Sequence, residues 1–436
     1  MNILIIENVS MGEAHYGFLD KTLLTMFSVL PTLYARRVYA ITPKKHRVEI
    51  LNERYGYIDF DKPYDIVHIN FASSSTQRAY EIADAFKKKG VTVVLSGLHA
   101  SALPDEAKQH ADSILLGPGE LNWLRLLDDF EKKELQPIYY PEKYDDSHPI
   151  PPTNISLPGL VVSGAIEATR GCPYHCLFCR EGQLPGGSQF YKRPLNEVIN
   201  EIKNLPQKTF TFYDTSLTID PSYTKALFTQ MKPLHKKFSC NGNVDILAHD
   251  KELVRLSKEA GCVSWLIGFE SVSQRTLDDI GKKTNTVTDY QQAVQNIHDN
   301  HMLVIGCFVL GFDTDTPAIF DETLRIVKDL KIDIVDFLVF TPFPGTPLYE
   351  KLNCEGRIIT KNWSQYTMKN VVFTPKNMTS EELLQGIKSL YRFFYSGPYA
   401  LQRIFYGMRF GLYPFFLLLE RNLSAFVQMR LLNYSK

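Results

Sequence analysis

The chain has no excess of either charge. Its 48 lysine and arginine residues equal its 48 aspartate and glutamate residues, so the formal net charge at pH 7 is zero. Such a chain has no overall field that would attract nucleic acid, a membrane surface or an acidic partner. We therefore expect no nucleic-acid partner, and any charged ligand must be recognised by groups close to it.

Long apolar runs and a secretory leader are also missing. No window approaches the roughly 20 apolar residues that a membrane-spanning helix needs. The first run, MNILIIE, reaches Glu7 without a basic leader or a small-residue cleavage site. This pattern is typical of a first β-strand rather than of a signal peptide, so it predicts a cytoplasmic protein.

The seven cysteines do not follow the pattern of a disulfide scaffold. Three lie close together, at Cys172, Cys176 and Cys179. The other four are scattered along the chain, at Cys240, Cys262, Cys307 and Cys354. We expect reduced thiols, and we assign no second cluster to the scattered cysteines because buried apolar thiols are common in strands.

Short apolar runs that alternate with helical patterns predict two α/β units. In residues 1–135 the strand candidates are NILIIE, RVEIL, DIVHINF, VTVVLSG and SILLG. They predict a flavodoxin-like domain of the Rossmann type. Residues 136–160 are rich in proline and lack periodicity, so they are predicted to be a linker.

A second series of six strand candidates occupies residues 161–358. These are GAIEAT, TFTFYD, KFSCNG, VSWLIGF, MLVIGCFVLG and IVDFLVF. Six βα units predict a partial (β/α)6 barrel of the TIM type, whose chemistry gathers at the carboxyl ends of the strands. Residues 359–436 are predicted to form a helical, aromatic-rich C-terminal region.

The clustered cysteines follow the first strand of the second series, in TRGCPYHCLFCR. Their spacing is C-x3-C-x2-C, and three thiolates on one short loop favour zinc or an iron–sulfur cluster. A structural zinc site needs four ligands, and His175 is poorly placed to be the fourth. Three thiolates on a four-iron cluster leave one iron open to a substrate. The alternative is a non-catalytic metal site in a sensor or scaffold.

This loop, at the mouth of a predicted barrel, resembles the radical S-adenosylmethionine superfamily. The resemblance covers roughly residues 60–395 and includes TPFPGTPLYEKL after the last strand. It implies that Cys172, Cys176 and Cys179 hold a [4Fe-4S] cluster that binds S-adenosylmethionine and cleaves it to a 5′-deoxyadenosyl radical. It also implies an external one-electron donor of the flavodoxin or ferredoxin type.

Further residues match the cosubstrate site of the family. By that resemblance Phe178 would lie against the adenine, and Asp214, in YDTS, would face the methionine amino group. Glu270 and Ser271, in GFES, would bind the ribose hydroxyls. Gly306, in the fifth strand, would let the adenine approach the backbone. For the carboxylates the alternative is a strand-end residue that caps the next helix.

The first domain resembles the cobalamin-binding module that precedes the barrel in one large class of these enzymes. Its turns FASSS, SGLHAS and GPGE are rich in small residues, although such turns commonly are. The chain departs from the Asp-x-His-x-x-Gly pattern of classical modules, because that position reads ENVSMGE and offers no histidine to cobalt. His99 would contact the cofactor or cap a helix. The resemblance implies tentative cobalamin contacts at Ser73, Ser74, Ser96, Gly97, His99, Gly117, Gly119 and Glu120.

The resemblance also implies the type of reaction. The leading expectation is hydrogen abstraction from an unactivated carbon, followed by cobalamin-dependent methyl transfer to a lipid or natural-product small molecule. The alternatives are carbon–carbon bond formation, cyclisation or rearrangement with an empty cobalamin-like domain.

The last region is unusually aromatic. Residues 390–416 contain eleven aromatic side chains interleaved with Arg392, Arg403 and Arg409. One interpretation is a pair of amphipathic helices that contacts a membrane or presents a lipid substrate. The other, which we favour, is ordinary core that packs across an open end of the barrel.

Overall fold

The computed structural model describes residues 1–7, 33–53, 56–143 and 163–431. Its first sheet has six parallel strands in the order β2-β1-β3-β4-β5-β6. This doubly wound order confirms the flavodoxin-like prediction. The strands are β1 (Asn2–Glu7), β2 (Arg47–Asn52), β3 (Ile66–Asn70), β4 (Thr92–Ser96), β5 (Ser113–Leu115) and β6 (Ile138–Tyr139).

Helices cover both faces of this sheet, which explains why its central strands read as continuous apolar runs. The helical periodicity of α2 places Ala79, Ile82, Ala83 and Phe86 on one fully buried face. The helices are α1 (Tyr34–Ile41), α2 (Thr76–Lys88), α3 (Leu98–Ala102), α4 (Pro104–Ala107) and α5 (Trp123–Lys132).

The sheet has one strand more than the sequence predicts. Strand β6 pairs with β5 through Ile138 and Tyr139, inside the stretch predicted to be a linker. A two-residue strand is too short to show periodicity, which is why the sequence does not reveal it. The rest of that stretch, from residue 144, lies outside the described residues, as does the ENVSMGE turn beyond Glu7.

The second sheet is an open arc of six parallel strands in the order β7-β10-β11-β12-β13-β14. It confirms the predicted partial barrel. The strands are β7 (Gly164–Ile166), β10 (Thr209–Phe212), β11 (Lys237–Gly242), β12 (Cys262–Glu270), β13 (Leu303–Leu310) and β14 (Ile334–Val339). Between β7 and β10 a two-stranded antiparallel ribbon is formed by β8 (Thr169–Arg170) and β9 (Tyr191–Lys192).

Helices pack on the outer face of this arc and bury its largest core. Inside the arc, alternate residues of each strand point toward the barrel interior. The helices are α6 (Leu195–Asn204), α7 (Pro221–Met231), α8 (Val244–His249), α9 (Lys251–Ala260), α10 (Gln274–Asp279), α11 (Tyr290–Asp299) and α12 (Ala318–Asp329).

Four helices follow the barrel, namely α13 (Pro347–Cys354), α14 (Ser380–Phe394), α15 (Gly397–Gly407) and α16 (Leu412–Leu431). Helix α14 begins with a capping box between Thr379 and Glu382. Phe410 and Leu418 pack against Leu303 and Ile334, the first residues of β13 and β14. Part of the aromatic region therefore closes the amino end of the barrel, as the core interpretation predicts. Among the described helices, none has the length and apolar character needed to cross a bilayer.

Candidate active site

The cysteine loop spans residues 171–190 at the carboxyl end of the barrel arc, between β8 and β9. The pairing of Arg170 with Tyr191 closes its base. Its backbone is fixed at two further points, because Cys172 N donates to Gly187 O over 2.9 Å and Leu177 N donates to the carbonyl oxygen of residue 280 over 2.9 Å. Gly171 adopts φ = +75°, and a side chain there would collide with the opposite side of the loop. The glycine before the first cysteine is therefore required by the turn.

The three thiols share one partly buried environment. All three are free, and Cys176 is the most deeply buried. Burial raises the pKa of each thiol, to about 11 for Cys179. A Cys172 thiolate raises the pKa of Cys176, and a Cys176 thiolate raises the pKa of Cys179. The Lys282 ammonium lowers the pKa of all three thiols.

The donor set fits a cluster held by three thiolates. Soft sulfur ligands on one loop suit iron–sulfur coordination. His175 Nδ1 lies 3.2 Å from the carbonyl oxygen of Gly182. In the described part of the chain no three histidine, cysteine or carboxylate side chains converge closely enough to hold a metal ion.

Glu270 and Lys282 form an ion pair that faces this loop. Glu270 Oε1 lies 3.0 Å from Lys282 Nζ, and both side chains are largely buried. Glu270 adopts φ = +62° beside a register shift in β12, so the strand bends where it presents this carboxylate. Burial lowers the pKa of Lys282, but Glu270 and the Cys176 thiol more than offset that effect and raise it. Ser271 is buried next to Glu270, and its hydroxyl accepts from the backbone N–H of Ser273.

Phe178 is partly buried and packs against the barrel core. Its ring packs edge-on against Phe312, with 5.8 Å between the ring centroids. A cavity of about 310 Å³ adjoins the loop and is lined by Phe312, Ile280 and Leu348 among others. The backbones of Ile280 and Leu348 also hydrogen-bond Leu177 in the cysteine loop. The cavity therefore lies directly behind the residue that precedes Phe178.

Asp214 has a different role from the one expected. It is fully buried, and its carboxylate accepts from Ala168 N, from Thr169 N at 2.5 Å and from Thr169 Oγ1 at 2.6 Å. Burial raises its pKa to about 6. Both oxygens already accept from the chain, so Asp214 anchors Ala168 and Thr169, which lead into the cysteine loop, instead of facing the methionine amino group. It does not cap the next helix either.

Gly306 also differs from the expectation. A side chain on this residue would meet Ile332, Phe269 and Phe308 at 3.2 Å each. These residues belong to the core on the helix-covered face of the sheet. Gly306 therefore makes room for packing on that face, and its neighbour Cys307 points the other way, into the barrel interior.

The first-sheet turns make contacts within the chain. Ser73 Oγ lies 3.2 Å from His99 Nδ1, and His99 Nε2 lies 3.1 Å from Glu106 Oε1. Trp363, from the segment after the barrel, donates to the same Glu106 carboxylate over 3.1 Å. The His99 ring is thus held between two internal partners and caps no helix. Ser74 is half-buried beside this network.

A histidine that the sequence analysis does not single out lies under these turns. His68 Nε2 lies 2.9 Å from Ser96 Oγ, and its ring stacks on Trp123 with 4.9 Å between centroids. Burial lowers the pKa of His68 to about 3, so it is neutral at physiological pH. Ser96 also accepts from Asn70 over 2.9 Å. A lone histidine inside an apolar strand gives no sequence signal for such a network.

The three predicted glycines of the first sheet are explained by internal packing. A side chain on Gly97 would collide with the Phe71 backbone, one on Gly117 with the Pro185 carbonyl, and one on Gly119 with the Tyr34 hydroxyl. The Gly117 contact joins the first sheet to the segment that follows the cysteines. These glycines are therefore required without a ligand, and they carry no argument for cobalamin.

Glu120 belongs to a buried ion network between the two sheets. Its Oε1 lies 2.6 Å from Arg170 Nη2 and 3.6 Å from Arg37 Nη1. Glu167 completes the network through ion pairs with Arg37 and Arg170. Burial raises the pKa of Glu167 to about 8. The network ties the first sheet to Arg170, two residues before Cys172.

Sequence comparison finds a known protein family over the residues that form this site. Residues 166–344 match the family model described as the radical SAM superfamily, and residues 346–412 match a domain of unknown function, DUF4070. The bacteriochlorophyllide d C-8(2)-methyltransferase of Chlorobaculum tepidum is 31% identical over 85% of this chain and 86% of its own. The C-12(1)-methyltransferase of the same organism is 29% identical over 84% of this chain and 83% of its own.

A solved structure shows the same fold. The radical S-adenosylmethionine methyltransferase TsrM from Kitasatospora setae, with cobalamin and a [4Fe-4S] cluster bound, superposes with a TM-score of 0.65. It is 16% identical and matches 81% of this chain and 78% of its own. The chain is therefore an enzyme of the radical S-adenosylmethionine superfamily, in the class whose barrel follows a cobalamin-binding-like domain.

Proposed function

We propose that this enzyme transfers a methyl group, with the help of cobalamin, to an unactivated carbon of a small and largely apolar molecule. The observation that carries the proposal is the three-cysteine loop at the barrel mouth, faced by the Glu270–Lys282 pair. Similarity along most of the chain to two methyltransferases of bacteriochlorophyllide d supports the type of reaction. A lipid or natural-product substrate fits the same proposal.

In this proposal Cys172, Cys176 and Cys179 hold the cluster, and Phe178 and Glu270 contact S-adenosylmethionine. When bound, the cluster and its cosubstrate supply a carbon radical that removes hydrogen from the substrate. The chain itself positions the reacting groups and shields them from bulk water. Its fixed loop backbone and its buried ion pair serve this purpose. An external one-electron donor of the flavodoxin or ferredoxin type completes the system.

The organisation that we propose follows the sequence boundaries. The cobalamin-binding-like domain occupies residues 1–135, the linker 136–160, the barrel 161–358 and the C-terminal region 359–436. In the described turns of the first domain Ser73, Ser96 and His99 hydrogen-bond other parts of the chain. Cobalamin binding therefore rests on the relatives, and we assign it no individual contact.

The test is anaerobic purification and reconstitution of the full chain. We expect an iron–sulfur absorption band and 5′-deoxyadenosine when S-adenosylmethionine and a reductant are added. Cys179→Ala should abolish both signals. Cys354→Ala is the matched control, because Cys354 is exposed and remote in sequence from the loop. Zinc in place of iron, or a cluster that never cleaves S-adenosylmethionine, would contradict the proposal.

Cobalamin needs a separate test. Protein produced with cobalamin in the medium should retain corrinoid that can be extracted and recognised by its visible spectrum. If 5′-deoxyadenosine forms while no corrinoid is retained, the methyl-transfer part of the proposal fails and the radical part stands. Carbon–carbon bond formation, cyclisation or rearrangement would then replace methylation.

A further inference from the structure

An exposed apolar surface lies at the corner between α15 and α16. Eight of the fourteen large apolar side chains that are exposed in the described part of the chain lie between residues 393 and 423. Leu412, Phe405 and Phe416 are 75%, 68% and 59% exposed. We define the corner surface as Leu401, Phe405, Met408, Leu412, Tyr413 and Phe416.

The helices that carry the corner surface are held firmly by their opposite faces. Phe410 and Leu418 are buried against the amino ends of the barrel strands. Arg403 is buried as well and donates to Phe394 O over 2.9 Å and to Asn422 Oδ1 over 2.9 Å. Helices α15 and α16 touch at Gly407, where any side chain would collide with Leu418. The corner surface is therefore carried by helices that pack against the rest of the protein, and not by a frayed end of the chain.

The stretch of chain that carries the corner surface has charges of one sign. No aspartate or glutamate occurs between residues 383 and 419, whereas three arginines and one lysine do. Arg409 is exposed and lies over the Tyr406 ring at 3.3 Å from its centroid. Lys331 approaches the same ring at 5.9 Å. The first acidic residue beyond this stretch, Glu420, lies 3.9 Å from Arg421.

We propose that the corner surface docks on an anionic lipid bilayer. Soluble monomers rarely expose contiguous apolar patches of this kind. Aromatic and aliphatic side chains on a cationic stretch without acidic residues are the composition of helices that lie in a membrane interface. A second copy would bring the same cationic stretch to this surface. The lipid surface therefore fits the charge, and a second copy does not.

The docking does not depend on the radical chemistry. The corner surface lies at the amino end of the barrel, whereas the cysteine loop lies at the carboxyl ends of the strands. A docked enzyme would hold the loop away from the bilayer. The inference therefore concerns attachment, and its failure would leave the proposed reaction untouched.

The test is co-sedimentation of the full chain with vesicles. We expect binding to phosphatidylcholine vesicles that contain about 30% phosphatidylglycerol, and binding several-fold weaker without the anionic lipid or at high salt. Phe405→Ser and Phe416→Ser should each lower the partition coefficient about tenfold. Tyr57→Ser and Tyr140→Ser are matched controls, because these aromatic residues are 97% and 69% exposed in the first domain.

Three outcomes would overturn the proposal. The first is an absence of vesicle binding in the wild-type protein. The second is equal loss of binding in the Phe405→Ser variant and the Tyr57→Ser control. The third is self-association that depends on protein concentration and is removed by Phe405→Ser, in a protein that does not bind vesicles. The corner surface would then bind a second copy of the chain. Unchanged iron–sulfur absorption and an unchanged melting temperature show that each variant is folded.

Discussion

Loss of Arg170 should destabilise the contact between the two sheets. The ion pairs of this buried network join two arginines, Arg37 and Arg170, to two glutamates, Glu120 and Glu167, so their formal charges sum to zero above about pH 8, where Glu167 is ionised. All four side chains are no more than 14% exposed. Arg170→Met removes one cation and leaves two buried carboxylates facing a single guanidinium. Breaking a buried pair in this way costs about 3–5 kcal/mol.

A second substitution should restore the charge balance. Glu120→Gln on the Arg170→Met background returns the network to neutrality, because one arginine then faces one carboxylate. We expect the double variant to be more stable than the sum of the two single effects predicts, by about 1.5–3 kcal/mol. The assay is urea denaturation above about pH 8, where Glu167 is ionised. Unfolding is followed by tryptophan fluorescence, since Trp123 lies in the first sheet unit and Trp265 in the barrel.

The control for this cycle is a surface pair. Arg125 is 60% exposed and lies 3.9 Å from Asp129, so Arg125→Met should change stability by less than about 0.5 kcal/mol. If Arg170→Met costs no more than this control, or if Glu120→Gln gives no recovery, the network does not hold the sheets together. A stable Arg170→Met variant that forms 5′-deoxyadenosine at the wild-type rate would also show that the network does not position the cysteine loop.

Three further predictions follow from single sites. Lys282→Met should slow 5′-deoxyadenosine formation at least about tenfold, because it leaves a buried carboxylate unpaired beside the cysteine loop, whereas the exposed Lys283→Met should not. Gly117→Ala should lower the melting temperature more than Gly90→Ala, because both glycines have positive φ but only Gly117 meets another segment; equal shifts would contradict this. Burial raises the pKa of Asp214 to about 6, so the folded protein holds this proton more tightly than the unfolded chain. Its contribution to the free energy of unfolding should fall as pH rises from about 4 to about 6, by at most about 3 kcal/mol, and Asp214→Asn should remove that slope in denaturation curves.

The sequence predicts best those features that depend on near neighbours. Apolar runs of five or six residues mark the strands, and the glycine–cysteine spacing after β7 marks the loop. The buried face of α2 follows from its helical periodicity. Each of these signals is contained in fewer than about 20 residues, within which backbone geometry fixes which side chains share a face.

The features that the sequence does not reveal join distant segments. Lys282 stands beside a second lysine in an ordinary loop, and nothing local distinguishes the one that pairs with Glu270. Arg37 and Glu167 are 130 residues apart, and Trp363 reaches Glu106 across 257 residues. Charged and aromatic residues are common on surfaces, so only the fold shows which of them are buried together.

The same reasoning explains why two cosubstrate expectations differ from the structure. The resemblance to the family places Asp214 and Gly306 at the cosubstrate, and a match of sequence position does not determine what surrounds a residue in the fold. Asp214 accepts from the backbone N–H groups of Ala168 and Thr169, just before the cysteine loop, and these donors need an acceptor because they are buried. Gly306 faces the helices because successive residues alternate between the two faces of a strand.

The cysteine loop is held in place by parts of the chain that come from both sheets. Asp214, in the barrel, accepts from the backbone at its start, and Glu120, in the first sheet unit, pairs with Arg170 just before the first cysteine. Leu177 bonds to backbone on either side of the cavity behind the loop. A loop whose three sulfurs bind a cluster loses conformational entropy. Each of these contacts already restricts the loop, so cluster binding has less of that entropy loss to offset. The first sheet unit therefore supports the radical site directly, whether or not it also carries a cofactor.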